Sequence, residues 1–236
     1  MRIIGAAILI SNVVFAGVAV AAQTNAPEPS RKTGATVTVV ANGLKSPWGM
    51  QFLPDGRVIV TERPGNIRII SRNGGISGPL AGAPEAWARG QGGMLDIALA
   101  ADFETSRQVF ISFAQERGRS RGATSVVRAT LVDEPNRERL TDAQVIFQQA
   151  PASGGGRHFG SRLAFAGDGN LFVTLGDRGQ RSPAQELDGH IGKIVRIAPD
   201  GSVPSDNPFV GKRGVQAEIW SFGHRNPQAA AIHPQT

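Results

Sequence analysis

The sequence predicts an all-β fold of repeated antiparallel units, and three observations carry that expectation. Apolar residues come in short runs rich in Val, Ile and Phe, with Gly, Asp, Asn and Pro between them: TVTVVA, RVIVTE, IRII, QVFISFA, SVVRATL, NLFVTLG and KIVRIA. Apolar patterns of helical period are scarce between these runs. Finally, a two-strand unit recurs along the chain, and a recurring antiparallel unit of this length is the pattern of a β-propeller blade. A β-sandwich would supply similar strands without a repeat. The signatures of the WD40 and kelch propellers are missing.

The elements follow in chain order. MRIIGAAILISNVVFAGVAVAA has one positive charge at Arg2, an apolar run, and Ala19 and Ala21 in an A-x-A arrangement. That pattern predicts a secretory signal peptide over residues 1–22. A membrane anchor fits less well, because Ser11 and Asn12 interrupt the run and no positive cluster follows it. The chain is therefore expected to be exported, periplasmic or secreted, with no stable membrane span after cleavage. Residues 23–36 are rich in Pro, Ser, Asn and Gly and read as a linker; residues 37–236 are assigned to the folded domain.

The first unit, SPWGMQFLPDGRVIVTERPGNIRII, begins at Ser46, the second, GGMLDIALAADFETSRQVFISFAQ, at Gly92, and the third, GSRLAFAGDGNLFVTLGDRGQ, at Gly160. Each has a small-residue entry, an apolar strand, an Asp-centred turn and a second strand. Asp55-Gly56 and Asp168-Gly169 suit hairpin turns because these residues tolerate positive φ. Asp102 anchors a longer turn in the second unit, and the three aspartates are 47 and then 66 residues apart. RNPQAAAIHPQT aligns with SPWGMQFLPDGR, which predicts the start of a fourth unit. A propeller closes on roughly four to eight blades. Three units and the start of another therefore read as an incomplete propeller, a truncated chain.

Composition narrows the chemistry. The chain has 236 residues, 40% apolar and 19% charged, which is globular. It has no cysteine, so no disulfide framework, thiolate nucleophile or cysteine-held metal is available. Tyrosine is absent too, and with it any phenolic acid or base. The formal charge is +6, and loss of Arg2 with the signal leaves +5. The arginines are spread thinly, without a basic helix or an RNA-stacking motif, so no nucleic-acid partner is expected. Attraction of acidic small molecules fits this charge better.

The stretch GGGRHFGSRLAFAGDGNLFVTLGDRG, residues 154–179, sets His158 among glycines at the entry of the third unit. An imidazole has an ordinary pKa near 6.5 and can accept a proton at neutral pH. The residues alone leave open whether His158 is catalytic or merely packs. Gln91, in RGQGGM, is either a ligand-facing residue with glycines that permit close backbone approach, or a polar turn residue. Arg225 and Asn226, in GHRNPQ, offer a guanidinium and an amide to carbonyl or anionic groups, or cap a turn before Pro227. Asp177 in LGDRG and Asp206-Asn207 in SDNPF lack calcium-loop spacing and read as structural turns. His190, His224 and His233 show no metal-site pairing and read as surface or packing residues. No metal ligand is assigned within the chain.

From about Leu44 onward the sequence resembles the soluble pyrroloquinoline quinone (PQQ)-dependent sugar dehydrogenases. More closely, it is similar to the periplasmic aldose branch of the glucose/sorbosone dehydrogenase group. The resemblance is carried, in order, by SPWGMQFLPDGRVIVTERPGNIRI, GQGGMLDIALAADF, HFGSRLAFAGDGNLFVTLGDRGQ, AQELDGHIGKIVRIAPDGSVPSDNPF and IWSFGHRNPQ. It implies a six-bladed propeller with PQQ and calcium at one end of the axis. It also implies oxidation of aldose sugars at C1 to lactones, with electrons passed to an external acceptor. His158 then matches the catalytic base, Gln91 a substrate-binding glutamine, and Arg225 and Asn226 the cofactor-binding pair. Arg157 departs from the acidic or polar residue that the family places before its histidine. The calcium ligands are expected beyond Thr236. Two other readings are a non-catalytic sugar- or protein-binding propeller fragment and a calcium-dependent lactonase. The lactonase would need carboxylates and asparagines clustered around the axis.

Overall fold

Chain order is also spatial order in all three sheets, as expected of repeated antiparallel units. The computed structural model describes residues 34, 36–134 and 137–233; the expected signal peptide, 1–22, lies outside them, as does most of the linker. The first sheet holds β1 (Pro47–Phe52), β2 (Val58–Glu62) and β3 (Asn66–Ile70). The second holds β4 (Met94–Leu99), β5 (Gln108–Glu116), β6 (Gly122–Val132) and β7 (Arg139–Gln148). The third holds β8 (Gly160–Phe165), β9 (Leu171–Leu175), β10 (Lys193–Ile197) and β11 (Ile219–Phe222). Every pairing is antiparallel.

The Asp-centred turns form as the sequence predicts. Gly56 and Gly169 both take φ 83°, and the Asp55 and Asp168 carboxylates accept the N–H two residues on, from Arg57 at 3.0 Å and Asn170 at 2.9 Å. In the second unit a single helical turn, Phe103–Ser106, follows Asp102.

Packing decides between propeller and sandwich. The middle sheet is buried on both faces. Val109, Ile111 and Phe113 of β5 meet Ile59, Ile67 and Ile69 of the first sheet. Phe110 points the other way and meets Leu163, Leu171, Val173 and Val195 of the third. Side chains alternate across a strand, so one run of apolar residues fills two cores. Each fully buried aliphatic or aromatic side chain contributes about 1.5–3 kcal/mol. A two-sheet sandwich has no middle sheet; face-to-face stacking of successive sheets, with β1 beside β4 and β4 beside β8, is the arrangement of propeller blades.

The repeat extends to individual atoms. Each first strand shifts register once, between Pro47 and Met50, Met94 and Ile97, and Gly160 and Leu163. At each shift one N–H leaves the ladder, and a hydroxyl from the second strand takes it. Thr61 Oγ1 accepts Gly49 N–H at 2.9 Å, Ser112 Oγ accepts Asp96 N–H at 2.9 Å, and Thr174 Oγ1 accepts Arg162 N–H at 2.9 Å. The same hydroxyls donate forward to the next unit: Thr61 to Leu95 O, Ser112 to Ser161 O at 2.6 Å, and Thr174 to Pro227 O at 2.7 Å. Pro227 thus occupies the position of Trp48, Leu95 and Ser161, where the alignment of the fourth unit put it.

Two expected strands are absent. TVTVVA forms none, and Val37, Val39 and Val40 are 93%, 67% and 64% exposed. Residues 225–233 form none either, with Ile232 46% exposed. Alternating or apolar residues supply only one requirement of a strand; the other is a backbone partner for its N–H and C=O groups.

Candidate active site

The four residues singled out by the sequence lie on three loops that meet at one end of the blades. Gln91 precedes β4, His158 precedes β8, and Arg225 and Asn226 follow β11. Hydrogen bonds tie them together. His158 N–H donates to Gln91 Oε1 at 2.7 Å, and Gln91 N–H donates to Gly156 O at 2.6 Å. Gly160 N–H donates to Asn226 Oδ1 at 3.0 Å.

One further residue completes the group. Asp177, directly after β9, places Oδ1 2.7 Å from His158 Nδ1, and its own N–H donates to Arg225 O at 2.8 Å. The same Oδ1 accepts Gly179 N–H at 2.7 Å, so the structural-turn reading of Asp177 is correct and incomplete. Burial of Asp177 pushes its carboxyl up. The Gly179 N–H, the imidazole and the nearby Arg225 outweigh this and hold it below the ordinary carboxylate value. A carboxylate only accepts hydrogen bonds, so it fixes the proton of neutral His158 on Nδ1 and leaves Nε2 as the acceptor. Nε2 has no protein partner among the described residues.

The loop carrying His158 is held from below. Backbone φ at His158 is 53°, a left-handed conformation uncommon outside glycine. Arg178, almost fully buried, explains how it persists. Its guanidinium donates to Arg157 O and to Gly155 O, the latter at 3.0 Å, while its plane lies 3.4 Å over the Phe159 ring. Burial pushes the Arg178 guanidinium down to about 10. Gly176 makes room for the loop, since a Cβ there would overlap the His158 carbonyl. A separate cavity of about 610 Å³, lined by Trp87, Phe113, Val127 and Val145, contains none of these residues.

The donor set fits a quinone with carboxylates. Asn226 uses its oxygen on Gly160, and neither its N–H₂ nor the exposed Arg225 guanidinium has a hydrogen-bond partner among the described residues. Calcium is different: among the described residues no three His, Asp or Glu side chains converge as a metal site. Asp206 and Asn207 instead bind Arg196, at 2.8 and 3.1 Å. His190 is buried against Phe147 and accepts Ala150 N–H through Nδ1 at 3.0 Å. No described helix is long and apolar enough to cross a membrane.

Fold and site together define a β-propeller with a carboxylate-oriented imidazole at one end of its blades. Residues 44–236 match the glucose/sorbosone dehydrogenase family, and the chain belongs to it. The chain is 43% identical over 199 residues to the aldose sugar dehydrogenase YliI of Escherichia coli K12, covering 84% of this chain and 53% of that protein. Among solved structures it is similar to the apo form of the soluble aldose sugar dehydrogenase of Escherichia coli. There the TM-score is 0.80 and the identity 43%, over 84% of this chain and 56% of that one. It is also similar to the PQQ-bound aldose sugar dehydrogenase of Streptomyces coelicolor, with TM-score 0.71 and 31% identity over 81% and 55% of the two chains. The chain spans about half the length of these relatives.

Proposed function

We propose that this chain carries the proton-abstracting half of a PQQ-dependent aldose dehydrogenase site, in an exported protein that oxidises aldose sugars at C1 to lactones. The observation that supports it most is the His158–Asp177 pair, with Nε2 left open at the meeting point of three loops. Oxidation of a cyclic aldose to a lactone removes a proton from the C1 hydroxyl and a hydride from C1. PQQ, when bound, supplies the two-electron acceptor for that hydride, and an external acceptor reoxidises it.

His158 Nε2 takes the hydroxyl proton, while Asp177 holds the ring and stabilises the imidazolium that forms. Gln91 keeps its Oε1 on the His158 backbone and presents its N–H₂ outward, where it can donate to a sugar hydroxyl. When PQQ is bound, the Arg225 guanidinium and the Asn226 N–H₂ would hold it, by hydrogen bonds that are charge-assisted where Arg225 donates or a carboxylate accepts. Calcium belongs to the same reading, with ligands from outside the described residues.

The test is dye reduction by the full gene product supplied with PQQ, calcium and aldoses. His158→Ala is expected to abolish turnover while PQQ binding largely survives. Full turnover in that variant removes His158 from the mechanism, and lactone hydrolysis without PQQ replaces the dehydrogenase by a lactonase.

A further inference from the structure

We infer that Arg157 forms an anion subsite beside His158 and selects aldoses that carry a carboxylate, the uronic acid class, over neutral ones; this rests on the dehydrogenase reading. Arg157 is exposed and immediately precedes the histidine. Its backbone is fixed, because its carbonyl accepts from the buried Arg178 guanidinium. Its stem is fixed as well. Gly179 has no side chain, and Arg157 Cδ and Cγ lie 3.1 and 3.5 Å from where a Cβ would stand, so the stem rests on the turn that carries Asp177. What is left over is the guanidinium, which has no ion pair or hydrogen bond among the described residues.

The neighbouring acid is not paired with it: Asp177 is buried, and its Oδ1 serves His158 and Gly179. One more exposed arginine, Arg181, follows two residues beyond Gly179, while Arg89, whose backbone packs on Gly156, turns its guanidinium over the Trp87 ring, 5.4 Å from its centroid. The positive charge beside the imidazole is therefore that of Arg157, with Arg181 next to it along the chain. A neutral sugar gives these cations nothing to pair with. A carboxylate matches the planar fork of Arg157 in two parallel bonds, and places the anomeric end of the same small molecule within reach of the base.

PQQ also carries carboxylates, so the test must separate cofactor from substrate. In the reconstituted full gene product, kcat/KM is measured for a uronic acid and for the matching neutral aldose, in wild type, Arg157→Gln and Arg157→Lys. The wild type is expected to favour the uronic acid. The preference should fall about ten- to a hundred-fold in Arg157→Gln and survive in part in Arg157→Lys, as expected for a lost charge-assisted bond. KM for the acid, and not for the neutral sugar, should rise with salt.

An unchanged ratio in Arg157→Gln overturns the subsite. So does a loss confined to PQQ affinity, which would hand Arg157 to the cofactor. If neither sugar is oxidised, the dehydrogenase reading fails, and calorimetric titration with the uronic acid decides the subsite by itself. Binding that Arg157→Gln weakens at least tenfold upholds the subsite, and no such difference overturns it.

Discussion

In the proposed dehydrogenase, Asp177 is the residue on which the chemistry of the site turns, through His158 rather than through a ligand. Replacing it with Asn offers an N–H₂ where an acceptor stood, which favours the other imidazole tautomer and leaves Nε2 protonated. Asp177→Asn is expected to lower kcat by about 10²–10⁴-fold with little change in KM. Asp177→Glu should recover part of the loss, and the pH–rate profile should change in the Asn variant; a purely structural role would move none of these together. The carboxyl also links the site to pH. Its native pKa lies below the ordinary 3.8, so its contribution to stability is complete above that value and is lost as pH falls through the lower native one. Urea unfolding measured from pH 5 downward should show this slope in the wild type and a shallower one in Asp177→Asn. His158, Gln91, Arg225 and Asn226 were legible because glycines or turn residues flank them and because their motifs resemble a family's. Asp177 was half legible. LGDRG declares a turn, and nothing local says that a histidine 19 residues earlier is brought back to it by the β8–β9 hairpin.

At the scale of the element, each blade is closed by one hydroxyl in its second strand. Thr61, Ser112 and Thr174 are fully or almost fully buried, and each both accepts and donates. Thr61→Val and Thr174→Val keep the shape and remove the hydroxyl, which strands one N–H and one C=O, in buried surroundings at Thr61 and half-buried ones at Thr174. Each is expected to cost about 1–3 kcal/mol, read as a lower urea midpoint with an unchanged slope. Values near zero would mean that water or a shifted ladder replaces the hydroxyl. The strands themselves were legible in unequal measure. β5 and β9 are largely apolar along their length because both of their faces are buried, whereas β2 and β10 are as buried but carry Glu62 in the one and Lys193 and Arg196 in the other. β7 reads RLTDAQVIFQ, with four consecutive exposed residues at its centre, and carries little apolar signal because it is the outer edge of its sheet. β11 is four residues long and half exposed, too short for a periodicity to be seen. TVTVVA errs in the opposite direction: its alternation is clear and its strand does not form.

Residues 47–222 form successive blades joined by neighbour contacts, and that arrangement dictates how substitutions combine. The first joint is Thr61 to Leu95, and the last is Thr174 to Pro227, reinforced by Arg162 Nε to Gln228 O at 3.1 Å. The joint between them is denser. Asp96 is buried in β4, accepts Leu163 N–H at 2.8 Å and Arg162 Nη1 at 2.7 Å from the third blade, and gives its own N–H to Ser112. Burial pushes the Asp96 carboxyl up, against the pull of those donors, so the contact is held by geometry at an electrostatic cost. In a stacked repeat, stability is close to a sum of unit and nearest-neighbour terms, and sites without shared partners add. Thr61→Val and Thr174→Val act at different joints, so the double variant should lose the sum of the two single losses within about 0.5 kcal/mol. Ser112→Ala and Asp96→Asn act on one joint and on each other, and their double variant should depart from additivity by about 0.5–3 kcal/mol. The two cycles share one measurement, urea unfolding. Coupling of equal size in both would mean that the blades form a single cooperative body, with the hydroxyls serving the whole rather than the joint in which each stands.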